Sequence, residues 1–271
     1  MEDELGGSAL YFALAASLIC PVAIVAPVGA DAVDRVRATL ARRPVDLSGL
    51  SVVDAPTYRW RARQVEGRNL DLGSRDSIYD HWQPILPQRY SGWVFVGSMR
   101  PDRQLDAARQ ASGASLLAAD AMRSYVDAAP SEARQLLELC GWYFCNKEEF
   151  AALGGDPDRP QLFCNRWALE GLVLKLGAHG LVAYAKAGDQ QLGALSAHPV
   201  VDTTGAGDAL AGGMLARWLQ TGGSDADLRD ALACGVACAS ITIEDLGIRA
   251  LARATQGQLR ERVEEVRAFS R

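Results

Sequence analysis

From residue 93 onward the sequence repeats one pattern, and that pattern limits the fold more than any other feature. Trp93-Val94-Phe95-Val96 is a short apolar run ending at Gly97, and helical spacing over 102–111 follows it. Ser115 to Ala119 is a second run, ending at Asp120, with another helix over about 131–139. Trp142-Tyr143-Phe144-Cys145 ends at Asn146, and after a further helix Leu172 to Leu176 ends at Gly177. Mostly apolar runs of this length predict strands buried on both faces. Their alternation with helices predicts a parallel sheet covered by helices on both sides. Each run closes on a small or polar residue, at the sheet edge where open α/β folds bind ligands.

The amino-terminal region needs a different reading. After Met1-Glu2-Asp3-Glu4 no charged residue occurs until Asp31. A membrane span needs about 20 continuous helical apolar residues, but Pro21 interrupts this run and Pro27 and Gly29 follow. The acidic start is wrong for a signal peptide. The run therefore predicts a buried helix over 8–18, a buried strand over 22–28 and a cytoplasmic protein without a membrane partner. Asp31 then reads as the cap of a helix carrying Val33, Val36 and Leu40. Between 57 and 65, Tyr58, Trp60 and Ala62 fall on one face and Arg59, Arg61 and Arg63 on the other, a half-exposed strand with a solvated arginine face. Residues 66–80 read as polar and irregular. No internal repeat or low-complexity tract divides the 271 residues.

Composition removes several function classes. Apolar residues make up 49% and charged residues 23%, a globular balance rather than a disordered one. A net charge of −5 argues against a nucleic-acid partner. The six cysteines (20, 140, 145, 164, 234, 238) contain no Cys-x-x-Cys pair. Cys234 and Cys238 read as small apolar residues on one helix face. His81, His179 and His198 lack ligand spacing and read as surface or loop residues, so a zinc site is not expected. Reduced thiols in a cytosolic enzyme are the expectation.

The strongest chemical signal is Asp202-Thr203-Thr204-Gly205-Ala206-Gly207-Asp208, which opens an apolar helix through Leu219. The amides of Gly205, Ala206 and Gly207 would point out of that helix start and suit an anion such as a phosphoryl group in transfer. Asp208 in the first turn would stay ionised and could take a proton from an attacking hydroxyl. No Gly-Lys-Ser/Thr follows, so this is not a Walker A loop. The glycine spacing is also wrong for a dinucleotide fingerprint.

This stretch resembles the carboxy-terminal signature of the ribokinase-like (PfkB) carbohydrate kinases. Three other stretches agree in order. Gly6-Gly7-Ser8-Ala9-Leu10-Tyr11-Phe12 is similar to the family's sugar-side diglycine and its helix. Asn146-Lys147-Glu148-Glu149 matches Asn-x-x-Glu, and Lys175-Leu176-Gly177-Ala178-His179-Gly180 resembles the strand-end Leu-Gly-x-x-Gly. The resemblance implies a three-layer α/β/α fold with a mostly parallel sheet and a small β lid. The kinase core would be 1–51 with 85–271, and the lid segment 52–84.

The implied activity is transfer of the γ-phosphoryl group of ATP, with Mg2+, to a hydroxyl of a sugar or sugar-like molecule. The alternatives are a nucleoside kinase of the same fold, for which Tyr11, Tyr58 or Trp60 would supply an aromatic platform, and a non-catalytic sugar- or nucleotide-binding relative. By resemblance, Asp208 is the catalytic base, and Gly205, Ala206 and Gly207 form the anion hole. Asn146 and Glu149 organise magnesium. Lys175, Gly177, Gly180, Thr204 and Cys238 belong to the nucleotide side; Gly6, Gly7 and Asp120 belong to the substrate side. A homodimer through the lid is also implied. Family members carry a strand before the diglycine, ending in a sugar-binding aspartate. Met1 to Leu5 is too short for it, so that strand is expected to be missing from this sequence.

Overall fold

The structure is a computed structural model and describes residues 3–65, 68–87, 90–195 and 199–269. In chain order it contains α1 (Ser8–Ala16), β1 (Val22–Gly29), α2 (Val33–Leu40), β2 (Val45–Val53), β3 (Arg59–Val65) and β4 (Arg68–Arg75). Next come β5 (Trp93–Val96), α3 (Pro101–Gln110), β6 (Leu116–Asp120), α4 (Arg123–Ala128) and α5 (Pro130–Leu139). They lead to β7 (Trp142–Asn146), α6 (Lys147–Ala152), α7 (Pro160–Arg166), β8 (Gly171–Lys175), β9 (Leu181–Ala185) and β10 (Gln190–Leu192). Last are α8 (Ala206–Gln220), α9 (Leu228–Thr242), α10 (Arg249–Arg253) and α11 (Gln256–Phe269). These elements form two compact units, one of Gln83–Ala194 and one of Met1–Trp82 with Leu195–Arg271.

The Gln83–Ala194 unit is built on a six-stranded sheet in the order β10-β9-β8-β7-β6-β5. β5 to β8 are parallel, with Phe95 opposite Ala118 and Phe144 opposite Val173. These are the four apolar runs, and β6 and β7 are buried almost throughout. The helices bury one face each: Leu105, Ala107 and Ala108 on α3, and Leu136 and Leu137 on α5. Burying one such large side chain stabilises by about 1.5–3 kcal/mol. Pro101 and Pro130 sit in first turns, where the missing N–H has no partner to lose. Buried Gln104 donates from Nε2 to the carbonyls of Gly97 (3.1 Å) and Asp120, tying the ends of β5 and β6.

Two features of this unit go beyond the sequence reading. β9 and β10 add antiparallel strands, because the chain reverses at Gly177–Gly180 and pairs Lys175 with Leu181. Between Asn146 and Leu172 there are two helices, not one. The break falls at Gly154, which has a φ of +85°, and at Gly155, where a Cβ would lie 2.4 Å from the Phe150 ring.

In the other unit α8 packs against both α1 and α9. α1 is apolar all round, and Leu10, Ala13, Leu14, Ala15 and Ala16 are buried, as expected for a helix without a wet face. Adjacent glycines let both neighbours approach α8. A Cβ on Gly212 would lie 2.5 Å from the Phe12 carbonyl, and one on Gly213 would lie 2.6 Å from Cys238 Sγ. β1 and β2 pair in parallel, Val22 opposite Val45 and Gly29 opposite Val53. β3 and β4 form a separate antiparallel hairpin.

Two expectations fail here. Residues 66–80 are not irregular throughout, since β4 occupies Arg68–Arg75. Its polar sequence lacks periodicity, and pairing with β3 makes it a strand. Asp31 does not cap α2, whose cap is Ala32. The Asp31 carboxylate instead accepts from Thr57 N (3.0 Å), Thr57 Oγ1 (2.6 Å) and Arg59 (3.1 Å), fastening the start of the hairpin beside β1. Among the described residues no helix is long and apolar enough to cross a membrane.

Candidate active site

The Asp202–Asp208 motif folds into a turn organised by its first aspartate. Asp202 N and Val201 N donate to the Ile243 carbonyl. Asp202 Oδ1 accepts from Thr204 N (3.0 Å) and Thr204 Oγ1 (2.7 Å), and Oδ2 accepts from Gly247 N (3.0 Å). Gly205 is the α8 cap, in the left-handed region at φ +74°, and makes no side-chain cap bond. A Cβ there would also sit 2.3 Å from the Tyr11 ring, so two independent constraints require glycine. The first amides of any helix lack intrahelical partners. Ala206 N makes a long 3.3 Å bond to the Thr203 carbonyl. The sequence therefore builds a helix start whose cap is a left-handed glycine without a side-chain bond, with Asp208 in its first turn.

The diglycine helix supports this turn. Gly7 caps α1 at φ +97°, and the Ser8 hydroxyl donates to Asp208 Oδ1. A Cβ on Gly6 would lie 3.4 Å from the Tyr11 ring. Tyr11 is only 1% exposed, so it is not the aromatic platform weighed from sequence. Its ring lies against the Gly205 turn instead. Burial, together with the charges of Asp202, Asp208 and Glu4, raises its ionisation well above the ordinary phenol range. Tyr58 packs on Tyr79, which packs on Trp82, so Tyr58 belongs to an aromatic cluster. Cys238, expected beside the nucleotide, is wholly buried and faces Gly213 across the α8–α9 seam.

The Gln83–Ala194 unit carries the remaining candidates. Asn146 caps α6 with a reciprocal capping box: Glu149 N donates to Asn146 Oδ1 and Asn146 N to Glu149 Oε2, both at 2.8 Å. Glu149 is 7% exposed. Asp120, 4% exposed, faces Lys175 Nζ at 4.0 Å across the end of β7, so a substrate-side and a nucleotide-side candidate meet each other. Gly177 and Gly180 are both left-handed, at φ +60° and +87°. A Cβ on Gly180 would lie 2.0 Å from the Leu192 carbonyl.

The donor chemistry suits magnesium. Asn146 and Glu149 offer hard oxygen donors, and their cap bonds use only part of the acceptor capacity of an amide oxygen and a carboxylate. Among the described residues no three His, Cys, Asp or Glu side chains form a metal cluster. Magnesium keeps several waters and takes only one or two protein carboxylates beside phosphates, a role Asn146 and Glu149 could serve. His81 and His179 are exposed, and His198 lies outside the described residues. Five cysteines are buried, Cys20 is half-buried, and none is disulfide-bonded. Sequence reasoning missed the roles of Ser8, Tyr11 and Gln104. Ser8 and Tyr11 face the motif from the neighbouring helix, a relation no single sequence prints.

Residues 1–254 match the family described as pfkB family carbohydrate kinase. No curated protein sequence matches the chain. Among solved structures, the nucleoside kinase of Methanocaldococcus jannaschii is 22% identical, with a TM-score of 0.75 over 96% of this chain and 86% of that one. The aminoimidazole riboside kinase of Salmonella enterica, complexed with aminoimidazole riboside and an ATP analogue, is 22% identical, with a TM-score of 0.76 over 95% and 91%. The fructokinase of Vibrio cholerae O395, bound to fructose, ADP and calcium, is 22% identical, with a TM-score of 0.74 over 98% and 91%. At these identities the likeness establishes the ribokinase-like α/β fold.

Proposed function

Because the chain belongs to the pfkB family of carbohydrate kinases, we propose that it phosphorylates a hydroxyl of a sugar, or of the sugar of a nucleoside, at the start of α8. The observation that carries this reading is the uncapped left-handed Gly205 turn with Asp208 in the following helical turn. Magnesium-bound ATP supplies the phosphoryl group and part of the charge neutralisation. The chain's own residues do the rest. Asp208 takes the proton from the acceptor hydroxyl. The amides of Gly205, Ala206 and Gly207 receive negative charge that grows on the transferring group. Asn146 and Glu149 hold magnesium, and Lys175, Gly177 and Gly180 line the nucleotide side. The 52–84 segment, with the β3–β4 hairpin, acts as a lid over the acceptor near Gly6 and Gly7 and excludes water. Asp120, paired with Lys175, is kept as a substrate-side candidate, and wholly buried Cys238 is read as a packing residue. Unpaired thiols and the need for ATP support a cytoplasmic location.

The test is ADP release from magnesium-ATP with D-ribose, D-fructose, inosine and adenosine as acceptors. Release with at least one acceptor, abolished in Asp208→Asn while ATP still binds, supports the reading. ATP binding without ADP release under any acceptor would instead identify a non-catalytic nucleotide-binding relative.

A further inference from the structure

Ser8 sits in the first turn of α1, where a serine hydroxyl ordinarily turns back on nearby amides of its own helix. Here the cap is Gly7, without a side-chain bond, and the Ser8 hydroxyl donates to Asp208 Oδ1, 200 residues away. α1 and α8 run side by side in the same direction. Ser8 meets Asp208 near their starts, and the Phe12 carbonyl and Ala15 meet Gly212 a turn later. The positive ends of both helix dipoles therefore lie on the side of the Asp208 carboxylate. Tyr11, three residues beyond Ser8, presses its ring against the Gly205 turn. Among the described residues its buried hydroxyl has no hydrogen-bond partner, so it does not compete for Asp208.

The geometry points to Ser8 as a positioning residue for Asp208: its hydroxyl holds one carboxylate oxygen, fixing the rotamer and favouring the ionised form that accepts a proton. This rests on the reading of Asp208 as the base. Among the described residues, Glu4 and Asp202 are the acids that act with Asp208 on Tyr11, whose buried phenol stays neutral. A hydroxyl that donates to a carboxylate favours its ionised form, and Ser8 is placed to do this for Asp208. A serine serving only as a helix-start residue would affect melting but not the behaviour of a distant carboxylate.

The experiment follows the Asp208 carboxyl by NMR in protein carrying 13C-labelled aspartate, its resonance assigned by its loss in Asp208→Asn. Ser8→Ala moves the Asp208 titration midpoint up by about one pH unit, and Ser8→Thr restores it. In parallel, kcat with whichever of D-ribose, D-fructose, inosine or adenosine is active falls about tenfold in Ser8→Ala at pH 7, with KM for ATP within about twofold. An unchanged midpoint in folded Ser8→Ala overturns the inference, whether or not the protein turns over. A shifted midpoint in a protein that phosphorylates no acceptor supports the Ser8–Asp208 coupling and overturns the kinase reading alone. If Ser8→Ala does not fold, Ser8→Cys, with a weaker donor of similar size, takes its place: a raised midpoint supports the inference and an unchanged one overturns it.

Discussion

α6 and α8 both place an acid three residues after the cap, and they use it in opposite ways. At α6 the cap side chain and Glu149 satisfy each other's backbone donors, so the helix start is closed by its own residues. At α8 the cap is a glycine with no side chain to offer, and Asp208 is held by Ser8 from another helix. One start is stabilised from within. The other has no cap side chain and is packed by Tyr11 at Gly205 and by its neighbours at Gly212 and Gly213. The difference teaches where to expect losses of activity and where to expect losses of stability.

Removing charge at α8 breaks the contrast most sharply. Asp208→Asn should lower kcat by about a thousandfold while calorimetry still detects ATP binding. Gly205→Ala comes next, because it combines a left-handed backbone with an occupied site. It should cost about 2–5 kcal/mol in urea unfolding and reduce turnover as well. Glu149→Gln tests the other helix. Glutamine also completes a capping box, so melting should change little. The magnesium needed for half-maximal rate should rise about tenfold if Glu149 holds the ion. An unaltered magnesium dependence would return Glu149 to a purely structural role.

The smallest effect lies at the start of the β3–β4 hairpin. Bonds from the Thr57 hydroxyl and amide, with help from Arg59, hold the Asp31 carboxyl at about 2, below its ordinary 3.8. A lowered value means the contribution is complete above about 4 and is lost as pH falls through about 2. Thr57→Val should therefore melt earlier than the unaltered protein at pH 7, with the gap closing as pH approaches 2 in thermal scans. This change leaves both helix starts intact, so turnover at neutral pH would report on the hairpin alone.

Much of the fold was legible because buried parallel strands write themselves as apolar runs. β5 to β8 and their helices lie close to where the spacing puts them. β4 was illegible for the opposite reason: Arg68 to Arg75 is polar, and only its partner strand makes it regular. β10 has three residues, too few to carry a period. At the site, Gly205 and Asp208 announced themselves through local pattern. Asn146 and Glu149 were equally visible, and the capping box shows that one spacing serves two purposes. The sequence-distant contacts could not be read. Asp31 looked like a cap until Thr57 claimed it, and Tyr11 looked like a platform until it was found buried against Gly205.

The paired glycines on α8 carry one more consequence. Gly212 admits the α1 backbone and Gly213 admits Cys238 on α9, so α8 is clamped on two sides with no side chain as spacer. Amide protons there would exchange with solvent only through large openings of this unit, whereas those of the β3–β4 hairpin would exchange through small ones. The candidate base thus sits on the helix of this unit that packs without a side-chain spacer on two sides.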